Sequence, residues 1–238
     1  MDDFFDKDLG PVVVKRNSRA KKVIARRRHD VVEMTVPMSL TKSEIKLHFD
    51  NLKPRILQLP VREIVKITEQ SVIKAYTFEV VITRESLFND KVNMLLKDGF
   101  VTLDVPSQYD INQDYVQVAM KDLIVHALRI EAKRVLPQKV AYFAKKMNVQ
   151  VREVKINNSN LRWGRCTNKK NINRSLFLMM LPERLIEYVI LHELAHTIEL
   201  NHSPRFWEIL DIFCNGKAEE VNHECSYYDP AYLYCLKQ

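Results

Sequence analysis

The sequence is poor in glycine and cysteine. Only 4 of its 238 residues are glycine and 9 are proline, which excludes a collagen-like chain and a disordered chain rich in these two residues. The 4 cysteines form no CxxC pair, which argues against a disulfide scaffold and against a zinc site built from cysteine. No apolar stretch is long enough to span a membrane.

The N-terminus lacks the features of a secretory signal peptide. Residues 1–8 are mostly acidic, and they contain neither a basic segment nor an apolar run followed by small residues. We therefore expect a protein of the reducing cytoplasm, with no membrane partner. Nothing in the sequence indicates an oligomeric state.

The composition that is present is typical of a folded globular protein, with 46% hydrophobic and 28% charged residues. Much of the net charge of +7 comes from residues 15–28, which include eight lysines and arginines and no acidic residue. Valine and isoleucine alternate with these basic residues, which favours the solvent-exposed face of a β-sheet. A nucleic-acid-binding surface is the alternative.

The first half of the sequence has the pattern of a β-rich region. Residues 12–37 and 71–105 alternate in the manner of antiparallel strands. Between them, residues 41–59 have the apolar spacing of a helix, which begins with a capping box at Thr41 and breaks near Pro54.

The pattern becomes helical from Asn112 onward. A broad apolar stripe predicts a long helix that Pro137 kinks or restarts, and strands follow at 149–156 and 171–179. This change of period places a domain boundary close to residue 108. We expect an α+β fold with a β-rich N-terminal region at 1–108 and a second domain at 109–238.

Two histidines and a glutamate have HExxH spacing within residues 182–210. Apolar residues recur there at helical spacing, so His192 and His196 lie on one face of a helix, where two imidazoles can bind one metal ion. Glu193 is one position further along and lies beside the metal without binding it. Its carboxylate can therefore act as the general base that takes a proton from a metal-activated water.

A third imidazole follows at His202. Asn201 is expected to end the helix in the left-handed conformation, and Ser203-Pro204 is expected to begin the next one, so the chain turns sharply and brings His202 back to the metal. Three protein ligands leave one tetrahedral position for water, as in catalytic zinc sites. The alternative is a buried helix whose histidines form core hydrogen bonds without a metal, and the cost of burying these polar groups disfavours it.

The stretch at residues 161–207, LRWGRCTNKKNINRSLFLMMLPERLIEYVILHELAHTIELNHSPRFW, is similar to the signature of the YgjP-like metallopeptidase family, which is related to SprT-type proteases. In that family an RWG-S-C loop precedes a strand, YVxxHELxH and NHSxxFW. The resemblance implies a zincin-like catalytic domain with an HExxH helix and a small sheet, in which these histidines hold zinc. The chain departs from the family pattern at Arg165, where a small residue is usual, and at 173–175, where a more apolar or Asn-rich strand is expected.

The loop at Arg162, Trp163 and Gly164 has two interpretations of equal weight. In the first, it lines the substrate cleft, and the strand from residue 171 is the edge that pairs with an extended peptide. In the second, Trp163 is a core anchor and Gly164 permits a tight turn. Phe206 and Trp207 are expected to be packing residues.

Other potential metal ligands lie further along the chain. Asp211 and Glu208 are the next candidates for a third ligand if His202 does not bind. His223 and Cys225 lack a recognisable ligand spacing, so we expect no second metal site there.

Taken together, the residues predict a zinc-dependent metallopeptidase that hydrolyses bonds in a peptide or protein substrate. The alternative is a nucleic-acid-associated protein whose zinc site is regulatory or acts on DNA-bound proteins. A third interpretation is an inactive relative that keeps zinc for stability. The motif shows that the residues for catalysis are present, but not that the protein turns over a substrate.

Overall fold

The computed structural model of the chain describes residues 2–28, 31–58, 66–84, 90–159 and 162–228. Contacts divide the chain into two units, Met1–Val65 and Lys66–Gln238, and each unit has its own hydrophobic core. The fold is mixed α+β, as the sequence predicted.

The first unit is a four-stranded sheet followed by one helix. Its elements are β1 (Phe4–Asp6), β2 (Gly10–Asn17), β3 (Ile24–Arg28), β4 (Val31–Pro37) and α1 (Lys42–Leu57). The strand order is β1-β2-β4-β3, with antiparallel outer pairs and a parallel central pair. The expectation of antiparallel strands throughout residues 12–37 was therefore wrong for β2 and β4. The strand between them in sequence, β3, lies at the sheet edge, so β4 returns beside β2 in the same direction.

Helix α1 begins and packs as its sequence predicts. Thr41 and Glu44 form the capping box, in which each side chain accepts a hydrogen bond from the other residue's backbone N–H. Phe49 is fully buried in the same core as Met34 of β4. The predicted break near Pro54 does not occur, because the helix runs on to Leu57.

The second unit begins with a sheet of the same design. Its strands are β5 (Ile73–Lys74), β6 (Glu79–Thr83), β7 (Asn93–Lys97) and β8 (Phe100–Asp104), in the order β5-β6-β8-β7. The outer pairs are again antiparallel and the central pair, β6 with β8, is parallel. Asp98 and Gly99 join β7 to β8 with positive φ angles of 50° and 80°, the conformation of a tight hairpin turn.

The predicted boundary near residue 108 falls inside this second unit. Leu103 at the end of the sheet and Met120 on the following helix belong to one buried cluster. That helix, α2 (Asp114–Lys146), contains Pro137 and continues past it without restarting. The change of hydrophobic period near residue 108 marks a change from strand to helix and not a change of core.

The remaining elements of the second unit build a smaller sheet and three helices. They are β9 (Glu153–Asn157), β10 (Gly164–Cys166), β11 (Asn171–Ser175), α3 (Glu183–Ala195), α4 (Pro204–Phe213) and α5 (Ala218–Ser226). The sheet order is β10-β11-β9, so β11 is central and β10 is an edge. The interpretation of β11 as an edge strand was wrong, because it pairs on both sides.

Strand β11 is also shorter than the predicted 171–179. The Ser175 side chain accepts a hydrogen bond from the Phe177 backbone N–H at 3.2 Å, which starts a buried 3-10 turn at Leu176–Met180. Among the described residues, no helix is both long and apolar enough to cross a membrane. Cys166, Cys214 and Cys225 are free thiols.

Candidate metal centre and cleft

Helix α3 holds the HExxH segment in the core of the second unit. Leu185, Ile190 and Leu194 are fully buried, which fixes the rotation of the helix about its axis. The helix ends at Ala195 with His196 as a right-handed C-cap, and not at Asn201, which does not have a positive φ. The predicted left-handed end at Asn201 was therefore wrong. A turn at 196–198 and a loop up to Ser203 follow instead.

The loop after α3 brings the third histidine back to the first two. One ring nitrogen from each of His192, His196 and His202 lies within 4.8 Å of the other two. The Nε2 atoms of His192 and His202 are 3.1 Å apart. Ser203 caps α4 by accepting from the backbone N–H of Phe206, and Pro204 is the first helical residue, as predicted. This start of α4 fixes the chain direction immediately after His202.

The donor atoms of the three histidines suit a metal ion. His196 Nδ1 is 3.0 Å from the Glu199 carbonyl oxygen, and since a carbonyl only accepts, Nδ1 carries the proton and Nε2 keeps its lone pair. Burial, with the neighbouring histidines, lowers the pKa of His192 to about 3, and burial also lowers the pKa of His202. Both rings are thus neutral at pH 7. Two ligands of a tetrahedral zinc ion lie roughly 3.3 Å apart, close to the Nε2 separation of 3.1 Å.

Phe206 provides the apolar packing beneath the three imidazoles. Its side chain is fully buried, and its ring stacks on that of His196 at 4.4 Å between centroids with an interplanar angle of 27°. The rings of His192 and His202 contact it at 4.9 and 4.8 Å. Trp207 is partly exposed and packs edge-on against Phe206. Phe206 therefore limits the ring orientations of all three histidines.

Glu193 lies beside the histidine cluster and is almost completely buried, with 5% of its surface exposed. Burial raises the pKa of this carboxyl group, and the opposing charge of Arg174 lowers it by a smaller amount. Arg174 Nη1 is 3.7 Å from Glu193 Oε1. The carboxylate also accepts a hydrogen bond from the backbone of Cys166. The second carboxylate oxygen, Oε2, has no partner among the described residues.

The sequence did not point to Arg174 as a site residue. Its side chain is fully buried on β11, and it donates hydrogen bonds to the carbonyl oxygens of Val189 at 3.0 Å and Ile190 at 3.2 Å. Burial lowers the pKa of this guanidinium to about 10, so it is charged at neutral pH. The one available signal was the basic residue at a strand position where the family pattern is apolar or Asn-rich.

Gly164 of β10 fits into the contact between Arg174 and Glu193. A Cβ atom at this position would lie 2.5 Å from Arg174 Nη1 and 2.7 Å from Glu193 Oε1, which is closer than side chains approach. Gly164 does not have a positive φ, so the requirement for glycine comes from this close packing and not from the backbone conformation.

A cleft of about 570 Å³ opens beside these groups. Three segments line it: β10 with the residues around it, the HExxH part of α3, and the loop that carries Leu200, Asn201 and His202. Arg162 and Gly164, which the sequence assigned to a cleft, are among the lining residues. Trp163 is not, and instead packs against the core of the second unit.

Comparison with known proteins gives one extensive match. The sequence pattern of the YgjP-like metallopeptidase domain matches residues 21–224. The chain belongs to the YgjP-like metallopeptidase family. No curated protein sequence matches it. A solved structure, the metallopeptidase zymogen abylysin of Pyrococcus abyssi, is 21% identical over 39% of this chain and 94% of that chain, with a TM-score of 0.35, which is too low to support a structural argument.

Membership of a metallopeptidase family implies a metal ion, and the three histidines are placed to hold one. Among the residues that the structure describes, no other group of three or more histidine, cysteine or acidic side chains is placed to hold a metal ion. Asp211 instead accepts a hydrogen bond from the Ala218 backbone N–H at 3.1 Å. His223 Nε2 is 3.3 Å from the Tyr227 hydroxyl.

The substitution Gly164→Ala is expected to destabilise the protein by about 1–3 kcal/mol, because the new methyl group overlaps two buried side chains. It should also lower any hydrolytic activity, since Glu193 is one of the two groups that must move. Urea unfolding and peptide hydrolysis measure the two effects. Gly216→Ala is the matched control: its φ of 78° makes it costly for stability, but no atom lies near the added methyl group. Loss of activity in both variants, or in neither, would contradict the role given to Gly164.

Proposed function

We propose that this protein is a zinc-dependent metallopeptidase in which His192, His196 and His202 hold the metal and Glu193 is the general base. The observation that carries the proposal is the convergence of three imidazoles and one buried carboxylate beside an open cleft. Structural zinc sites use four protein ligands, whereas catalytic sites use three and leave one position for water.

The donor set favours zinc over other common ions. Three imidazole nitrogens without a carboxylate suit zinc and are poor ligands for magnesium or calcium, which prefer oxygen. A bound zinc ion would supply the Lewis acidity that lowers the pKa of water to about 7 and polarises the substrate carbonyl.

Glu193 has the position and environment of a proton carrier. Its near-complete burial raises its pKa, which brings the carboxylate closer to the pH at which it can both accept and return a proton. It would take a proton from the attacking water and deliver it to the departing amine. The Arg174 guanidinium and the Cys166 backbone restrict where the carboxylate can lie.

Strand β10 supports the assignment of peptides as substrates. One edge of this strand pairs with β11, and its other edge pairs with no described strand. An extended peptide could add to such an edge through backbone hydrogen bonds. Because Gly164 and Cys166 both adjoin Glu193, a peptide on this edge would pass close to the general base.

Metal removal and restoration test this proposal. The zinc-loaded protein should cleave a pool of unfolded-protein peptides, detected by mass spectrometry. A chelator should abolish cleavage, and added zinc should restore it. Cleavage that persists after complete removal of metal would contradict the mechanism. A protein that binds one zinc per chain and unfolds at lower temperature without it, yet cleaves nothing, would instead support the reading that zinc serves stability alone.

A charge distribution in the first unit favours a second candidate function, association with nucleic acid. Arg19, Lys21, Lys22 and Arg26 are exposed and form no ion pair within the described part of the chain. By contrast, Lys15 pairs with Glu33 at 3.0 Å. DNA-oligonucleotide binding that weakens steeply with salt, and that is lost when the four unpaired residues become Gln, would support this candidate. DNA binding that is unchanged in this variant would indicate that the four residues are only part of the solvent-exposed face of the sheet.

A further inference from the structure

The cleft beside the histidines carries an excess of positive charge. Arg162 and Arg165 line it, and both are exposed. Neither forms an ion pair or a side-chain hydrogen bond with another residue that the structure describes. The only acidic residue among the lining residues is Glu193, which is buried and faces Arg174. Two cationic residues therefore line the cleft without a counter-charge from the described chain.

The alternation of strand β10 determines where Arg165 points. Gly164 faces α3, because a Cβ there would contact Glu193. Cys166 lies on the same side. Its backbone N–H donates to Glu193, and the nearby charges of Glu193 and Arg174 affect the pKa of its thiol. Successive side chains of a strand point to opposite faces of the sheet. The Arg165 side chain therefore projects from the face opposite α3. Its backbone pairs with Asn173 of β11, so the free edge carries the backbone groups of its neighbours Gly164 and Cys166.

A peptide that pairs with this free edge would place one of its side chains opposite Arg165. Side chains of directly opposite residues on paired strands are about 4.5–5.5 Å apart at Cβ, and opposite charges at such positions attract. Arg162, two residues before Gly164, adds a second cation at the same wall of the cleft. Lys169 and Lys170, exposed in the turn after β10, add to the positive field.

We propose that the cleft selects peptides with acidic side chains close to the bond that is cleaved, with Arg162 and Arg165 as the specificity-determining residues. This inference rests on the proposed peptidase function for its biological meaning, but the binding preference itself does not require turnover. Basic residues on an exposed strand edge also occur as a protection against aggregation. That explanation predicts no dependence of peptide binding on peptide charge.

Peptide binding to the zinc-loaded Glu193→Gln protein tests the preference without hydrolysis. The probes are three fluorescein-labelled decapeptides that differ only in carrying three Glu, three Gln or three Lys residues. Anisotropy titration should give at least about twofold tighter binding for the Glu peptide than for the Gln peptide, because each of two exposed ion pairs contributes about 1.4- to 5-fold. The Lys peptide should bind most weakly. The ratios should shrink as salt is raised.

Variants of the two arginines identify the source of the preference. In Arg162→Gln/Arg165→Gln, the ratio of Glu-peptide to Gln-peptide affinity should fall towards one. In Arg162→Glu/Arg165→Glu, the Lys peptide should bind better than the Glu peptide. The matched control is Lys133→Gln on α2, which removes an exposed charge outside the cleft and should keep the wild-type ratio. Equal affinity of the unsubstituted cleft for all three peptides, or an unchanged ratio in the double variant, would overturn the proposal.

Hydrolysis by the zinc-loaded wild-type protein separates the two proposals. Cleavage sites mapped in a peptide pool should be enriched in Asp and Glu next to the cut bond, and the enrichment should disappear in the double variant. Cleavage without this enrichment would contradict the acidic preference and leave the peptidase assignment standing. Charge-dependent binding without any cleavage would do the reverse, supporting the specificity of the cleft and contradicting the proposed function.

Discussion

Replacing Glu193 with Gln is expected to lower kcat for peptide hydrolysis by about 10²- to 10⁴-fold while zinc remains bound. The amide keeps the shape of the carboxylate but cannot accept the proton. Because Glu193 is not one of the three converging ligands, one zinc per chain should be retained. Peptide hydrolysis and elemental analysis of the same preparation measure both quantities.

The same substitution should also reduce stability, because it removes the charge that faces Arg174. That guanidinium is fully buried, and its Nε has no partner among the described residues. A buried charge that loses its counter-charge is costly. Urea unfolding should therefore accompany the assay, with Glu187→Gln on the same helix as the control, since Glu187 pairs with Lys139 away from the cleft. Wild-type activity in Glu193→Gln towards any substrate would eliminate Glu193 as the base.

The substitution His202→Ala is expected to abolish stoichiometric zinc binding. Only two imidazoles would remain, and loss of a direct ligand should weaken affinity by more than the roughly 10- to 100-fold typical of outer-shell partners. Elemental analysis after dialysis against a weak chelator gives the zinc content. The corresponding changes at His192 and His196 should behave alike.

The control for this experiment is His223→Ala, which removes a histidine that lies near Tyr227 and outside the cluster. It should retain one zinc per chain. Stoichiometric zinc in His202→Ala would instead remove His202 from the ligand set. Asp211 and Glu208 would then be the candidates for the third ligand. To bind the metal, Asp211 would have to give up the hydrogen bond that it accepts from the Ala218 backbone N–H.

The parts of the site that could be predicted are those encoded by short-range spacing. His192, His196 and Glu193 lie on one helix, so a period of 3.6 residues places them together. Ser203 and Pro204 specify the start of α4 by local capping. The return of His202 was predicted from this start, although the helix before it ends at Ala195 and its predicted end was at Asn201.

Arg174 could not be predicted because its role depends on tertiary packing. It is on a strand, 19 residues before Glu193 in sequence, and only the packing of β11 against α3 brings the two charges to 3.7 Å. A basic residue in a strand usually points to solvent, so the sequence favoured an exposed position. The need for Gly164 has the same origin, since a glycine required by side chains from two other elements leaves no local signal.

The boundary between the two units could not be predicted from the sequence for a different reason. Both units begin with four strands, so the strand pattern of residues 12–37 recurs at 71–105, and the helix between them gives no sign that the core changes. Strand patterns report which residues are buried but not which core they enter. The parallel pairing of β2 with β4 was missed for the same reason, because alternation does not encode strand direction.

The strand plan of the first unit recurs at the start of the second. In each unit, two antiparallel pairs flank one parallel pair and a helix follows. The parallel partners are also similarly spaced, 20 residues apart for Val12 and Val32 and 21 for Val80 and Val101. The same ββββα plan therefore occurs twice in the chain, and the three histidines placed to hold a metal ion follow the second occurrence.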